Sequence, residues 1–168
     1  MDDDELSVLL YALEGVAQDK AYHPEGDALF HSLQVFEHAR RSSDDRALWA
    51  AALFHDVGKA GGGRDHDVLG AELLGGLIAP RVVWLVRHHL DLLRAPGATR
   101  RRLRRYPAAL ADLERLRRWD VAGRDPRARV LSADEALSLA LAEPELLLPG
   151  AALPSGAYPH DDDKEVWA

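Results

Sequence analysis

Residues 50–59, Ala50-Ala51-Ala52-Leu53-Phe54-His55-Asp56-Val57-Gly58-Lys59, carry an apolar helical run straight into a histidine–aspartate pair, then stop it with glycine. Alanine, leucine and phenylalanine at this density predict a helix buried on most of its faces, from about Asp44 or Asp45 to His55. Gly58 and the Gly61-Gly62-Gly63 run predict a loop after it. A histidine beside a carboxylate at the end of a buried run is costly unless something compensates both. A metal ion does so: imidazole nitrogen is a ligand, and the adjacent carboxylate can bind one ion or bridge two.

Outward from this stretch the chain reads as helix after helix. Ala, Leu, Arg and Glu dominate and β-branched residues are few, which predicts an all-α fold. Leu6, Leu9, Leu10, Leu13 and Val16 keep helical spacing, and Asp27 is placed to cap a helix carrying Leu29, Phe30, Leu33 and Phe36. Val68–Leu77 and a segment opened by Pro80 predict two more. Pro96-Gly97 predicts a break, followed by a short arginine-rich helix over 99–106. Pro107 opens a longer helix through Leu110, Leu113, Leu116 and Trp119. Ser132 with Glu135 three residues on is a capping box for the last helix. Residues 1–145 read as one domain with its motifs in 20–125, and 146–168 as an irregular tail rich in proline and glycine, to which no function is attached.

With 168 residues and 47% hydrophobic composition the chain can bury a proper core. It has no cysteine, which excludes disulfides, thiolate zinc sites and a cysteine nucleophile. No apolar run approaches the roughly 18 residues of a membrane span, and the acidic start Met1-Asp2-Asp3-Asp4 is unlike a secretory leader; the expected compartment is the cytoplasm. The net charge of −7 is unevenly spread: residues 81–130 hold fourteen arginines against five acids, the rest seven bases against 23 acids. That asymmetry fits one anion-attracting face, or merely solvated helix faces.

Eight histidines, His23, His31, His38, His55, His66, His88, His89 and His160, are the informative feature; His38 and His160 read as ordinary side chains. The order His31, then His55-Asp56, then Asp120 resembles the H…HD…D pattern of the HD superfamily of metal-dependent phosphohydrolases. His66, within Asp65-His66-Asp67-Val68-Leu69-Gly70-Ala71-Glu72, resembles the added histidine of members that bind two metals. His88-His89, after Val82-Val83-Trp84-Leu85-Val86-Arg87, resembles the paired histidines of the same subgroup. Tyr22-His23-Pro24-Glu25-Gly26-Asp27, with His55-Asp56-Val57-Gly58-Lys59, closely resembles the HD domain attached to bacterial tRNA nucleotidyltransferases.

This resemblance implies metal ligands His31, His55, Asp56, His66, His88 and Asp120, with Asp56 bridging two divalent ions (Mn, Fe, Co, Ni or Mg). His89 is expected either to replace His88 as ligand or to bind substrate. Asp120 has an alternative, a surface acid paired with Arg117 or Arg124. Asp56 and Lys59 are the expected catalytic residues, Lys59 meeting a phosphate oxygen from its glycine-flanked loop. Arg87 and Arg94 are candidates for further substrate contacts, and Arg100-Arg101-Arg102 weaker ones. Glu25, Asp27 and Gln34 flank the first ligand, where they orient it or simply cap and pack. The implied activity is phosphomonoester or phosphodiester hydrolysis on a nucleotide or RNA end, 2′,3′-cyclic phosphates included, in a chain lacking the nucleotidyltransferase domain itself. Two alternatives stand beside it. One is the mixed-valent di-iron oxygenase of other HD members, acting on organophosphonates; their tyrosine/glutamate segment is replaced here by His23-Pro24-Glu25-Gly26-Asp27. The other is a metal-binding regulatory or RNA-binding module.

Overall fold

The computed structural model describes residues 2–160, so the acidic stretch Asp161-Asp162-Asp163-Lys164 lies outside the described residues. Among them no strand forms; the one extended pairing is an isolated bridge between Ala17 and Asp27. The fold is all-α: α1 (Asp2–Tyr11), α2 (Ala28–Ser42), α3 (Arg46–Phe54), α4 (His66–Leu74), α5 (Pro80–His88), α6 (Asp91–Arg94), α7 (Pro96–Arg102), α8 (Pro107–Ala122) and α9 (Ala133–Ala140). Among the described residues, no helix is long and apolar enough to cross a membrane.

The caps explain most boundaries. Asp27 Oδ1 accepts from the Phe30 amide at 2.9 Å and starts α2, while its second oxygen takes the Gly15 amide. Asp45 Oδ1 accepts from the Ala47 amide at 3.0 Å and starts α3. The Ser132–Glu135 capping box is closed in both directions. Pro80, Pro96 and Pro107 each stand in a first turn, where the missing N–H costs nothing. Pro96-Gly97 therefore opens α7 rather than breaking the chain, and the helix expected over 99–106 begins three residues earlier and ends in a 3₁₀ turn at Leu103–Arg105.

Helix α3 is the axis of the bundle, every residue from Ala47 to Phe54 being buried. Helices α2, α5, α8 and α9 pack around it, with Phe36, Phe54, Leu48, Leu85 and Leu113 at the centre. Its C-terminal end leads into a 3₁₀ turn, Val57–Gly61, laid against α4. Gly58 permits that approach: a Cβ there would stand 2.0 Å from the His66 carbonyl oxygen. The segment after residue 145 is irregular but docked, since Leu146 and Tyr158 are buried and the Leu146 carbonyl accepts from the Ala79 amide at 2.7 Å.

Candidate metal centre

Two helices end at the same place in the same way. His55 caps the C-terminus of α3 and donates Nδ1–H to its own helix, at the Ala52 carbonyl, 2.8 Å. His89 caps α5 and donates Nδ1–H to the Val86 carbonyl at 2.6 Å. Each bond satisfies a carbonyl that a helix end leaves open. Each also fixes the tautomer, so that the Nε2 lone pair points away from the helix. Both helix termini present the negative end of their dipole, which favours a cation.

His31, midway along α2, follows the same rule from a different backbone. Its Nδ1 lies 2.8 Å from the Gly123 carbonyl and 2.8 Å from Glu25 Oε1. Both atoms are acceptors, so Nδ1 carries the proton and Nε2 the lone pair. The carbonyl is held by Gln34, whose amide bonds both ways to the Asp125 backbone at 2.9 and 3.0 Å. A Cβ on Gly123 would meet Val35 Cγ2 at 2.8 Å, so glycine is what lets this carbonyl reach the histidine.

The lone pairs converge on two carboxylates. His31 Nε2 is 3.1 Å from Asp120 Oδ1 and 3.8 Å from Asp56 Oδ2. His55 Nε2 is 3.3 Å from Asp56 Oδ2 and 3.9 Å from Asp120 Oδ1. Across the carboxylate, Asp56 Oδ1 lies 3.1 Å from His66 Nε2 and 3.6 Å from His89 Nε2. Thus His31, His55 and Asp120 form one group and Asp56, His66 and His89 another, the ligand atoms of each lying within 4.8 Å of one another. Ligands about 2.1 Å from a shared ion need spacings of this order.

The fit of a metal here rests on unspent hydrogen-bonding capacity. Nε2 of His55, His66 and His89 are all buried without a hydrogen-bond partner, although carboxylate oxygens lie nearby. They face a common space rather than one another. Burial alone would raise the Asp56 carboxyl; the neighbouring His55 first, then His66 and His89, outweigh it and hold the group well below the usual carboxylate range. Asp120 is likewise lowered, burial being outweighed by His31 and His55 against the charge of Asp56. Both stay ionised, the form that binds a cation.

The centre opens into a cleft of about 620 Å³. Lys59 lines it, its Nζ 2.6 Å from Asp56 Oδ2 and 2.5 Å from Gln18 Oε1. Arg94 also lines it, braced by Asp67 at 2.7 Å and the Arg64 carbonyl at 2.8 Å. Arg117 and Arg124 line it too, at 3.1 and 3.9 Å from Asp120, so Asp120 makes the arginine pairs weighed for it while being buried rather than a surface acid. Arg87 stands on α5, and the described lining does not include it.

His88 is placed differently from the ligand expected of it. Its ring packs on Trp84 one turn earlier, centroids 4.5 Å apart, and Nδ1 lies 2.9 Å from Asp91 Oδ2. The group at Asp56 contains His89 instead. His38 lines a separate cavity with Gln34 and Arg41. The residues missed from sequence are His23, Tyr22, Arg64, Arg117 and Arg124, all in the cleft lining. For His23 the signal was there, in the segment that precedes His31. Burial pushes its imidazole below the ordinary value, with the Lys59 charge helping and the bond to Glu25 opposing.

An all-α bundle closing histidines and aspartates around a buried, cation-ready space defines a class of helical metalloprotein. The chain belongs to the HD domain family, whose model matches residues 29–138, and so to a superfamily of metal-dependent phosphohydrolases that bind divalent ions. Its relatives match it locally. The bifunctional uridylyltransferase/uridylyl-removing enzyme of Rhodospirillum rubrum is 49% identical over 29% of this chain and 6% of its own length. Multifunctional CCA proteins of Shewanella frigidimarina and Herminiimonas arsenicoxydans are 49% and 46% identical, over 29% and 30% of this chain and 12% of their own lengths. The chain thus spans a small part of each of these relatives.

Proposed function

We propose that this is a cytoplasmic phosphohydrolase with two divalent ions (Mn, Fe, Co, Ni or Mg), cleaving a phosphate ester on a nucleotide or at an RNA end, 2′,3′-cyclic phosphates included. The observation that carries the reading is the division of Asp56: Oδ2 faces His31 and His55, and Oδ1 faces His66 and His89. A bridging carboxylate needs that division, and a single-ion site does not. The names of the matched relatives, a uridylyl-removing enzyme and CCA proteins, favour substrates that carry nucleotides.

In this reading His31, His55, Asp120 and Asp56 Oδ2 hold one ion, and His66, His89 and Asp56 Oδ1 the other. Divalent ions in such a pair acidify a water molecule and offset charge on the phosphoryl group. Lys59 keeps Asp56 in place and offers its ammonium to a phosphoryl oxygen at the cleft floor. Arg94, Arg117 and Arg124 are anchored by acids and supply a fixed positive field. Arg64 lines the cleft with no ion-pair partner among the described residues, so its guanidinium is available to a second phosphate oxygen.

A phosphate-release screen tests this, using the metal-stripped protein reloaded in turn with Mn²⁺, Co²⁺, Ni²⁺, Fe²⁺ and Mg²⁺. The substrates are p-nitrophenyl phosphate, nucleoside 2′- and 3′-phosphates and 2′,3′-cyclic nucleotides, the last with added phosphatase. Turnover with at least one ion, abolished by chelation, is expected. No hydrolysis under any metal would refute the reading.

A further inference from the structure

His23 joins neither of the two groups at Asp56 and Asp120 but makes a third close group with Glu25 and His31, its ring edge-on to His31 with centroids 4.8 Å apart. Its Nδ1 is 2.9 Å from Glu25 Oε1, the same oxygen that lies 2.8 Å from His31 Nδ1. Glu25 is fully buried at its side chain. A carboxylate oxygen accepts, so one atom fixes the tautomer of both rings: N–H at Nδ1, lone pair at Nε2. In His31 that lone pair faces Asp120. In His23 it makes no hydrogen bond among the described residues, and the ring lines the cleft beside Lys59 and His66.

The loop that carries His23 is pinned. The His23 amide donates to the Asp19 carbonyl at 2.8 Å, and the Gly26 amide returns to the His23 carbonyl at 3.0 Å. Gln18 donates its amide to the Gly26 carbonyl at 2.9 Å and accepts Lys59 at its side chain. The nitrogen is therefore a placed neutral acceptor in a cleft that also presents Lys59 and four arginines as donors, with Asp56 and Asp120 as charged acceptors at the candidate metal centre. A phosphate group, all acceptor, has no use for it; a hydroxyl has.

We propose that His23 is a substrate-contacting specificity residue. In this role its Nε2 accepts a hydrogen bond from a substrate hydroxyl next to the scissile phosphate, as on a ribose, and Glu25 is the positioning residue that makes it an acceptor. The inference rests on the phosphohydrolase reading and narrows it to monoesters with a free vicinal hydroxyl, as in a nucleoside 2′- or 3′-phosphate and not in a 2′,3′-cyclic phosphate.

The experiment compares adenosine 3′-phosphate with its 2′-deoxy analogue, using the full chain with the best metal from the screen. The unaltered protein should prefer the hydroxylated substrate. His23→Phe keeps the ring volume, and should lower kcat/KM on that substrate about tenfold while changing the deoxy substrate by less than about twofold, as loss of one buried hydrogen bond requires. Metal content per chain should be unchanged. If His23→Phe fails to fold, His23→Leu, which also lacks an acceptor, reads the same ratio. Equal loss on both substrates, as removal of a group acting on the attacking water would give, overturns the proposal. So does an unaltered protein indifferent to the hydroxyl. Hydrolysis of another ester in the screen but of neither of these two overturns the proposal alone, and hydrolysis of no ester overturns the phosphohydrolase reading itself and the proposal with it.

Discussion

The two ends of α3 hold two polar clusters, one half-buried and one buried, about 13 Å apart by the rise of a nine-residue helix. At the N-terminal end Asp45 receives two bonds from Arg81, at 3.0 and 2.7 Å. Arg81 also reaches Asp112 at 2.7 Å and the Tyr158 hydroxyl at 3.0 Å, and that hydroxyl donates to Asp112. At the C-terminal end His55, His66 and His89 each bury an Nε2 that makes no hydrogen bond among the described residues, the Asp56 oxygens beside them being acceptors as well. The first cluster is saturated and the second is not. An unsatisfied buried polar group costs roughly 1–3 kcal/mol, and three imidazoles left so in one place indicate a ligand that the first cluster has no room for. The helix dipole runs the same way, its positive end on Asp45 and its negative end on the cation site.

This comparison breaks most visibly at Asp56. Asp56→Asn keeps the side-chain shape but removes the charge and one of the two ligand oxygens. Activity should fall by more than a hundredfold, beyond the roughly 10–100-fold that outer-shell partners of a metal cost, and metal content should fall with it. The metal-free protein should lose little thermal stability, because an amide replaces the carboxylate among imidazoles that can stay neutral. Plasma emission for metal, phosphate release and a melting curve check all three. A variant that keeps both ions and its activity would mean that the division of Asp56 between two imidazole pairs has no functional meaning.

Arg81→Met tests the opposite end and should give the opposite result. It strands Asp45 and Asp112 without their shared guanidinium, and breaking such a pair costs roughly 3 kcal/mol. For a chain of this size that is a fall in Tm of about 10 °C. Metal content and turnover per folded molecule should remain those of the parent. Loss of metal along with stability would show that the ends of α3 are coupled, and that the saturated cluster helps to set the ligand geometry.

The difference between the ends also decides what could be read from sequence. The histidine end was legible because its residues are rare and ordered: His31, His55-Asp56 and His66 stand out one by one, Asp120 only as the acid on the inner stripe of its helix, and α3 betrays itself by being apolar on every side. His88 and His89 were not separable, since adjacent residues on a helix differ by a rotation that only packing fixes. His88 follows Trp84 by one turn and shares its face, which turns His89 toward Asp56. Arg64 was invisible among the many arginines, and Arg117 and Arg124 were legible only as partners of Asp120, because the type of residue says nothing about which of them rims a cleft. The saturated end was not legible at all: Asp45, Arg81, Asp112 and Tyr158 lie far apart in sequence and follow no spacing rule. The tail that carries Tyr158 has apolar residues, Leu146 to Leu148 and Leu153 among them, but its prolines and glycines leave them without a helical period that would announce docking.

Tyr158→Phe is the mildest probe of the comparison and the sharpest about that tail. The ring would keep its edge-on contact with Trp84, at 4.9 Å between centroids, so the packing survives and only the hydroxyl is lost. Burial holds the phenol above its ordinary range, with the bond to Asp112 adding to it and Arg81 opposing, so at neutral pH the group removed is an uncharged donor. Asp112 keeps Arg81 as its partner, and the cost should be that of one net hydrogen bond, about 1 kcal/mol or about 3 °C in Tm. Limited proteolysis separates this from a loose tail. If residues 146–160 are docked through Trp84 and Leu146, cleavage there should accelerate only in proportion to the small stability loss. A tail cut as fast as an unstructured peptide, in either protein, would mean that Tyr158 contributes nothing to the saturated end and that the Arg81 network closes without it.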